Sequence, residues 1–398
     1  MKLMAGNLLI FREKLEDFNM RILLVIDSFF TGGAEFSTLE LFNFLQEKNV
    51  VIQICKLKKM SPEYAPETFN LSNDYIATLP NGDFLYRRKA LKKIISQFKP
   101  DIIHSVLFNA NLLVRSVRVF DSSFIHIESL VNHTYSENRL QEKGVTKIKL
   151  EAYRFLDRIT SVLGTDHFHP NGYSVAKHYQ EKLGIDQKKM TVVHRGRDIK
   201  KYDVLPFKRK EIGIEENKIV LLNVARQEYQ KGQDVLLKAL ILLPKNIFEK
   251  VHLLIVGREG KLTTSLFKFV EENKLEKNIS FLGHRTDIPE LLKMSDIFVF
   301  PSRFEGLPGV LIEAEAAGLP IICTNLPMMR EVVEVDKNAL VFEINNEKQL
   351  AECISKLVFD ENLKNEFALE SKKIFEEKFQ LDSVHQKMYE LYFKLFSK

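Results

Sequence analysis

The sequence predicts two doubly wound α/β domains that face each other across a cleft. Three observations lead there. Short β-branched runs alternate with longer amphipathic stretches. The pattern restarts after residue 205. The runs of the second half are nearly all apolar, as strands covered by helices on both faces are. Length agrees, because 398 residues exceed one ordinary core and domains usually hold about 100–200 residues.

Residues 1–19 read as an N-terminal extension, since Met20 stands directly before the first strand-like run. MKLMAGNLLIF has only a short apolar core and no small-residue cleavage site, so it does not read as a secretory signal. Strands are expected at RILLVID (21–27), VIQICKL (51–57), PDIIHSV (100–106), SFIHIES (123–129) and MTVVHR (190–195). Helical spacing fills 34–47 and 86–98, where Leu91, Ile94, Ile95 and Phe98 share one face. These elements make an amino domain over 20–200. The join falls near Arg197–Lys210, a polar stretch with Pro206.

A second domain over 205–375 takes KIVLLNVA (218–225), VHLLIVG (251–257), NISFLG (278–283), DIFVFP (296–301), PIICT (320–324) and ALVFEI (339–344) as strands. Helices lie between them at 232–243, 261–273, 287–294 and 309–318. From about 347 the chain reads as helices only, and 376–398 is expected to cross back to the amino domain. In such sheets ligands bind beyond the carboxyl ends of the strands, so functional residues belong in the loops that follow them.

Composition excludes several classes. Cys55, Cys323 and Cys353 are far apart and form no CxxC pair, so neither a zinc site nor a disulfide framework is expected. No apolar run reaches the roughly 20 residues of a membrane span. A cytoplasmic setting follows as the expectation. The net charge of +5 is uneven: residues 1–200 carry 29 Lys and Arg against 22 Asp and Glu. The amino half would therefore be the one to meet an anionic partner. Its basic helix over 86–99, with Arg87, Arg88, Lys89, Lys92 and Lys93, fits a solvated back behind a core-facing stripe. Peripheral contact with a membrane surface is the less usual reading of the same residues. No nucleic-acid motif occurs, so no nucleic-acid partner is expected.

Four constellations carry chemistry. In FVFPSRFEGLPGVLIEAEAAGLP (298–320) a buried strand ends in a loop holding Glu305, followed by Leu307, Pro308 and Gly309 at a helix start. Glu313 lies about one turn into that helix, with Gly309 and Ala317 four residues to either side. A carboxylate is a bidentate acceptor for sugar hydroxyls, and free N–H groups at a helix start suit a diphosphate. Glu315 is taken as the merely solvated member. In NVARQEYQKGQD (223–234), Arg226 and Lys231 offer two cations beside a helix start. Gly32 and Gly33 close the turn after the first strand, where a ligand can approach the backbone. There is neither a GxGxxG fingerprint nor a P-loop. In SFIHIESLVNHTYS, His126 and Glu128 share one side of a strand and His133 follows on the loop. They read either as a pair near the cleft or as a satisfied core histidine with its neighbour.

Together these residues resemble the family-4 retaining glycosyltransferases of the two-domain GT-B fold, the glycosyl transferases group 1. The likeness covers about residues 20–396. Its strongest part is FEGLPGVLIEAEAAGLP, which matches the family's Glu-x7-Glu signature. TGGAE, ARQEYQKG, LLIVGREG (253–260, with Gly257) and FLGHRTDIPELLKMSDIFVFPS (281–302) support it. The resemblance implies a nucleotide-diphosphate sugar as donor, a carbohydrate or lipid-linked acceptor, and no cofactor or bound metal. It casts Glu305 as the catalytic carboxylate at the donor sugar, with His126 as the amino-domain candidate. Glu313 would hold the ribose, Arg226 and Lys231 the diphosphate, and Arg285 would lie against the base. Two other readings stand beside this one: a sugar-nucleotide epimerase on the same fold, and a non-catalytic nucleotide-sugar-binding protein. The usual Asn-Gly of the family's domain join is replaced by Arg195-Gly196-Arg197.

Overall fold

The computed structural model describes residues 20–28, 33–48, 50–58, 73–141 and 144–398. The extension over 1–19 and Gly32 lie outside the described residues. Six strands form the first sheet: β1 (Arg21–Ile26), β2 (Val51–Lys56), β3 (Ile76–Thr78), β4 (Ile102–Val106), β5 (Ile125–Leu130) and β6 (His167–Pro170). Six more form the second: β7 (Ile219–Val224), β8 (Val251–Val256), β9 (Ile279–Gly283), β10 (Ile297–Phe300), β11 (Ile321–Thr324) and β12 (Ala339–Phe342). The orders are β3-β2-β1-β4-β5-β6 and β12-β11-β10-β7-β8-β9. Counted from its own first strand, each domain has the same doubly wound order, and all pairings are parallel.

Both faces of each sheet are covered. In the first domain Leu23, Val25 and Ile103 pack against Leu91 and Ile95 of the helix Phe84–Phe98 and Leu113 of the helix Phe108–Arg118. On the other face Leu24, Ile26 and Ile102 meet Phe42 and Leu45 of the helix Gly33–Gln46, and Met388 and Tyr392 of the last helix, Leu381–Phe396. The stripe of the basic helix thus turns inward. The chain crosses between domains twice, side by side. The Arg197 N–H donates to Phe379 O at 2.9 Å and the Leu381 N–H to Arg197 O at 3.0 Å. A Cβ at Gly196 would stand 2.8 Å from the Leu381 Cα, so the two crossings touch backbone to backbone.

The structure differs from the sequence reading at several points. MTVVHR is not a strand. It runs beside β6, with the Thr191 and Val193 N–H groups donating to Phe168 O and Pro170 O. Pro170 has no N–H to return, and the His169 side chain takes the Val193 carbonyl at 3.0 Å, so no ladder forms. β3 and β6 were not anticipated: IAT is three residues long, and HFHP is rich in histidine and ends in proline. Glu315 is fully buried, not solvated. It accepts from Asn338 Nδ2 at 2.8 Å, and burial pushes its carboxyl well above the usual range.

Candidate active site

The strand order of each sheet reverses between its first and fourth strands. Loops after those strands diverge and leave a crevice at the reversal. In the second domain the strands are β7 and β10. The loop after β7 carries Arg226 and Lys231, and the loop after β10 carries Ser302, Arg303 and Glu305.

The two loops are fastened together. Ser302 Oγ and the Arg303 N–H donate to Gln230 O, and Gln230 Nε2 donates to Phe304 O at 2.6 Å. Arg303 grips Asp234 with both guanidinium ends, at 2.9 and 2.7 Å, and lies 4.1 Å from the Tyr229 ring centre. Gly232 has φ +66° and presses on the Pro301 carbonyl, where a Cβ would overlap. Gly257 likewise fits against Ala225 O with φ +145°. Its role is to let the loops after β7 and β8 meet.

This frame holds the charges. Lys231 Nζ donates to Glu305 Oε1 at 2.5 Å, and Ser302 Oγ donates to the same oxygen at 2.6 Å. Arg226 is exposed at the mouth. Pro308 is the residue before the helix Gly309–Ala317, one position earlier than a first-turn proline. Leu307 is buried in the domain core, so it offers a ligand only its backbone. Glu313 accepts from Arg197 Nε at 2.9 Å, and Gly309 leaves room for that guanidinium.

The domain join supplies two residues that sequence reasoning did not assign. Arg197 is buried and reaches Glu313 from the linker. Arg195 lies among Glu305, Glu35 and Glu313. Burial and Arg197 pull its guanidinium down to about 10 against the attraction of those acids, so it stays charged at neutral pH. Its Nη1 would be 2.8 Å from a Cβ at Gly33. Glu35, in the first turn of the helix Gly33–Gln46, has its carboxyl raised by burial, opposed by Arg195 and Arg226. Glu305, Glu313, Arg226 and Lys231 therefore converge, with Glu35 and two arginines. The signal was the doubly charged Arg-Gly-Arg at a domain join.

Two further contacts close the domains on each other. Gly306 abuts the Val131 carbonyl of the loop after β5. Glu331 accepts from the Tyr173 and Ser174 N–H groups at 2.6 Å each, at the start of the helix Tyr173–Leu183. Burial raises this carboxyl, but His194 Nε2 at 3.4 Å and the hydrogen bonds from the Ser174 and Tyr173 N–H groups outweigh it and hold the group below its usual value. Beside the join, a cavity of ≈ 60 Å³ is lined by Ser37, Glu40, His104, His169, His194 and Arg195, among others. It has room for about two waters.

His126 does not reach the cleft. It is fully buried, with Nε2 2.7 Å from Ser105 Oγ and Nδ1 2.5 Å from Gly164 O. Burial drives it down to about 3, so it is neutral. The cause is its place inside β5, which helices cover. Glu128 beside it is held by Arg115, Asn111 and Thr165. His133 is the member of the trio near the other domain: it stacks 4.8 Å from His178 and feels Glu331. The Arg285 side chain is engaged by Asp287 and lies 5.5 Å from the Phe207 ring centre. Among the described residues no group of three or more His, Cys, Asp and Glu could hold a metal.

The comparisons with known proteins agree with this two-domain architecture. The family model for Glycosyltransferase Family 4 matches residues 31–201, and that for Glycosyl transferases group 1 matches residues 205–374. The UDP-Gal:alpha-D-GlcNAc-diphosphoundecaprenol alpha-1,3-galactosyltransferase of Escherichia coli is 31% identical over 172 residues, 42% of this chain and 44% of that enzyme. The capsular polysaccharide biosynthesis glycosyltransferase CapH of Staphylococcus aureus is 24% identical over 82% of this chain and 87% of its own. The crystal structure of Anabaena HepE in complex with UDP shares the fold, with a TM-score of 0.80 and 18% identity over 94% of this chain and 100% of that one. One model per domain, in the same order, with matching architecture throughout, leaves a plain conclusion: the chain belongs to the family-4 glycosyltransferases of the GT-B fold.

Proposed function

We propose that the protein is a retaining glycosyltransferase. It moves a hexose-type sugar from a nucleotide-diphosphate sugar to a carbohydrate or lipid-linked acceptor in cell-surface polysaccharide biosynthesis. The observation that carries this is the Lys231–Glu305 contact at the crevice, flanked by exposed Arg226 and by Arg195 and Arg197. A diphosphate settles between Arg226 and Lys231 and takes over the lysine. Glu305 is then free to face the sugar. As the glycosidic bond lengthens, negative charge grows on the departing phosphate oxygen and positive charge on the anomeric carbon. The two cations meet the first and Glu305 meets the second, in groups already fixed by the loop frame. Glu313, oriented by Arg197, accepts from the ribose hydroxyls. The UDP-bound Anabaena structure and the UDP-galactose relative support a nucleotide-sugar donor, and the diphosphoundecaprenol in that relative's name supports a lipid-linked acceptor.

Melting curves with UDP, GDP and ADP come first: the nucleotide that fits raises the transition, because only the folded state binds it. Arg226→Ala and Glu313→Ala each weaken that nucleotide in calorimetry, and unchanged affinity in both removes those roles. Glu305→Gln lowers kcat by about 10²–10³ with a smaller change in donor affinity. NMR of the product made from an α-linked donor shows the α anomer. A β product would end the retaining assignment.

A further inference from the structure

The helix Lys147–Gly164 is inside out. Its buried residues are Asp157, Ser161 and Gly164. Its outward stripe is apolar: Ile148 is 83% exposed, Phe155 67% and Val162 62%, with Leu156, Ile159 and Leu163 also exposed. The spacing keeps these side chains on one face over four turns.

The inversion has a cause in the core. Arg115, 1% exposed, pairs with Glu128 of β5 and with Asp157 of this helix. Tyr135 Oη donates to Asp157 Oδ2 at 2.5 Å. At the far end Gly164 lets the helix backbone approach, since a Cβ there would stand 2.8 Å from the Arg115 Cα. A buried guanidinium needs its carboxylates, so the polar side must face in. The apolar side is then left outside, and packing among the described residues does not explain it.

The stripe belongs to a larger face. The helix Phe108–Arg118 packs between this helix and Phe84–Phe98. Tyr153 meets Phe108 edge-on at 5.7 Å. Phe120 is 76% exposed with Arg88 over its ring, and Leu85 is 72% exposed. The helix Phe84–Phe98 contains five Lys and Arg and no acid. On the inverted helix Glu151 is paired with Arg154 and Asp157 is turned inward, while Lys147, Lys149 and Arg158 are exposed.

We infer that this face docks the protein onto an anionic lipid surface. Apolar and aromatic side chains enter the headgroup boundary, and the flanking cations meet lipid phosphates. Charge chooses between occupants. A second copy related by a two-fold axis would set this cationic face against itself, whereas an anionic bilayer complements it. The inference goes beyond the transfer reaction and does not depend on which donor is used.

Vesicle flotation of the full chain tests it, with phosphatidylcholine alone and with about one third phosphatidylglycerol. The protein floats with the anionic vesicles and is released by salt. Phe155→Glu with Ile159→Glu lowers partitioning by about tenfold or more. Arg88→Glu with Lys92→Glu lowers it on anionic vesicles only. All these side chains are outside the cleft, so the melting shift with UDP is unchanged, which shows that the variants are folded. Absence of flotation by the parent overturns the inference. So does flotation that ignores both variants, or a dimer in sedimentation that Phe155→Glu with Ile159→Glu dissociates. Failure of the parent to respond to UDP would touch only the donor assignment.

Discussion

Glu128 and Glu305 are the same residue type beside the same kind of partner, yet they have opposite fates. Glu128 lies within β5, and Glu305 lies five residues beyond the end of β10. A strand of a doubly covered parallel sheet is dry on both faces, so Glu128 is 1% exposed and locked to Arg115. The loop beyond β10 opens on the crevice, and Glu305 there pairs with a lysine that a phosphate can recruit. Distance from the strand end, not residue type, separates a carboxylate locked in the core from one that a ligand in the crevice could reach.

Arg115→Ala puts that distinction to its hardest test. It strands Glu128 and Asp157 without their shared cation, and such losses cost about 3–5 kcal/mol. The first-domain transition in urea shifts accordingly. Glu305→Gln, by contrast, leaves the transition nearly in place. Equal stability losses in the two variants would dissolve the contrast.

Acid sharpens it across whole domains. His104, His126, His167, His169 and His178 lie in the first domain, and burial pulls each below its usual value, to about 3 or 4 for the last four. A lowered histidine contributes stability that is full above its unfolded value near 6.5 and is lost as pH falls toward the folded one. Each costs up to about 1.4 kcal/mol per pH unit below that point. The second domain has His252 and His284, both less perturbed, and Glu315, which burial raises. A raised carboxyl acts in the opposite sense: its contribution is full below 4.5 and is lost as pH rises. Hydrogen exchange between pH 7 and 4.5 therefore shows β4 to β6 losing protection before β7 and β8. Simultaneous loss would mean that the domains unfold as one unit.

The sequence made the second domain legible because its strands are short apolar runs between clear loops; Glu305, Arg226 and Lys231 sit in those loops, and Glu313 sits in the helix that follows one of them. In the first domain the same logic misplaced His126. Alternation along SFIHIES shows which residues share a side, but not that a helix carrying Asp157 covers that side. The helix Lys147–Gly164 went unread for a related reason: its periodicity is strong, but its polar face is the buried one. Arg195 and Arg197 were visible as residues and silent as a site, because their partners lie over 100 positions away in Glu305 and Glu313.

The glycines of the crevice give the finest comparison. A Cβ at either Gly306 or Gly309 would overlap a neighbour, but the neighbours differ. At 306 it is the Val131 carbonyl, a backbone atom fixed at the end of β5. At 309 it is the tip of Arg197, the end of a flexible side chain. Gly306→Ala must therefore push the domains apart, while Gly309→Ala need only swing a guanidinium and loosen its bond to Glu313. The first variant lowers kcat by about tenfold, through reacting groups held too far apart, and raises the radius of gyration in solution scattering. The second leaves the radius unchanged and destabilises less than Arg115→Ala, because the Arg197–Glu313 pair is loosened and not removed. If both variants scatter and turn over alike, the Gly306–Val131 contact is not what holds the cleft closed in solution, and Glu331 at the start of the helix Tyr173–Leu183 becomes the contact to break instead.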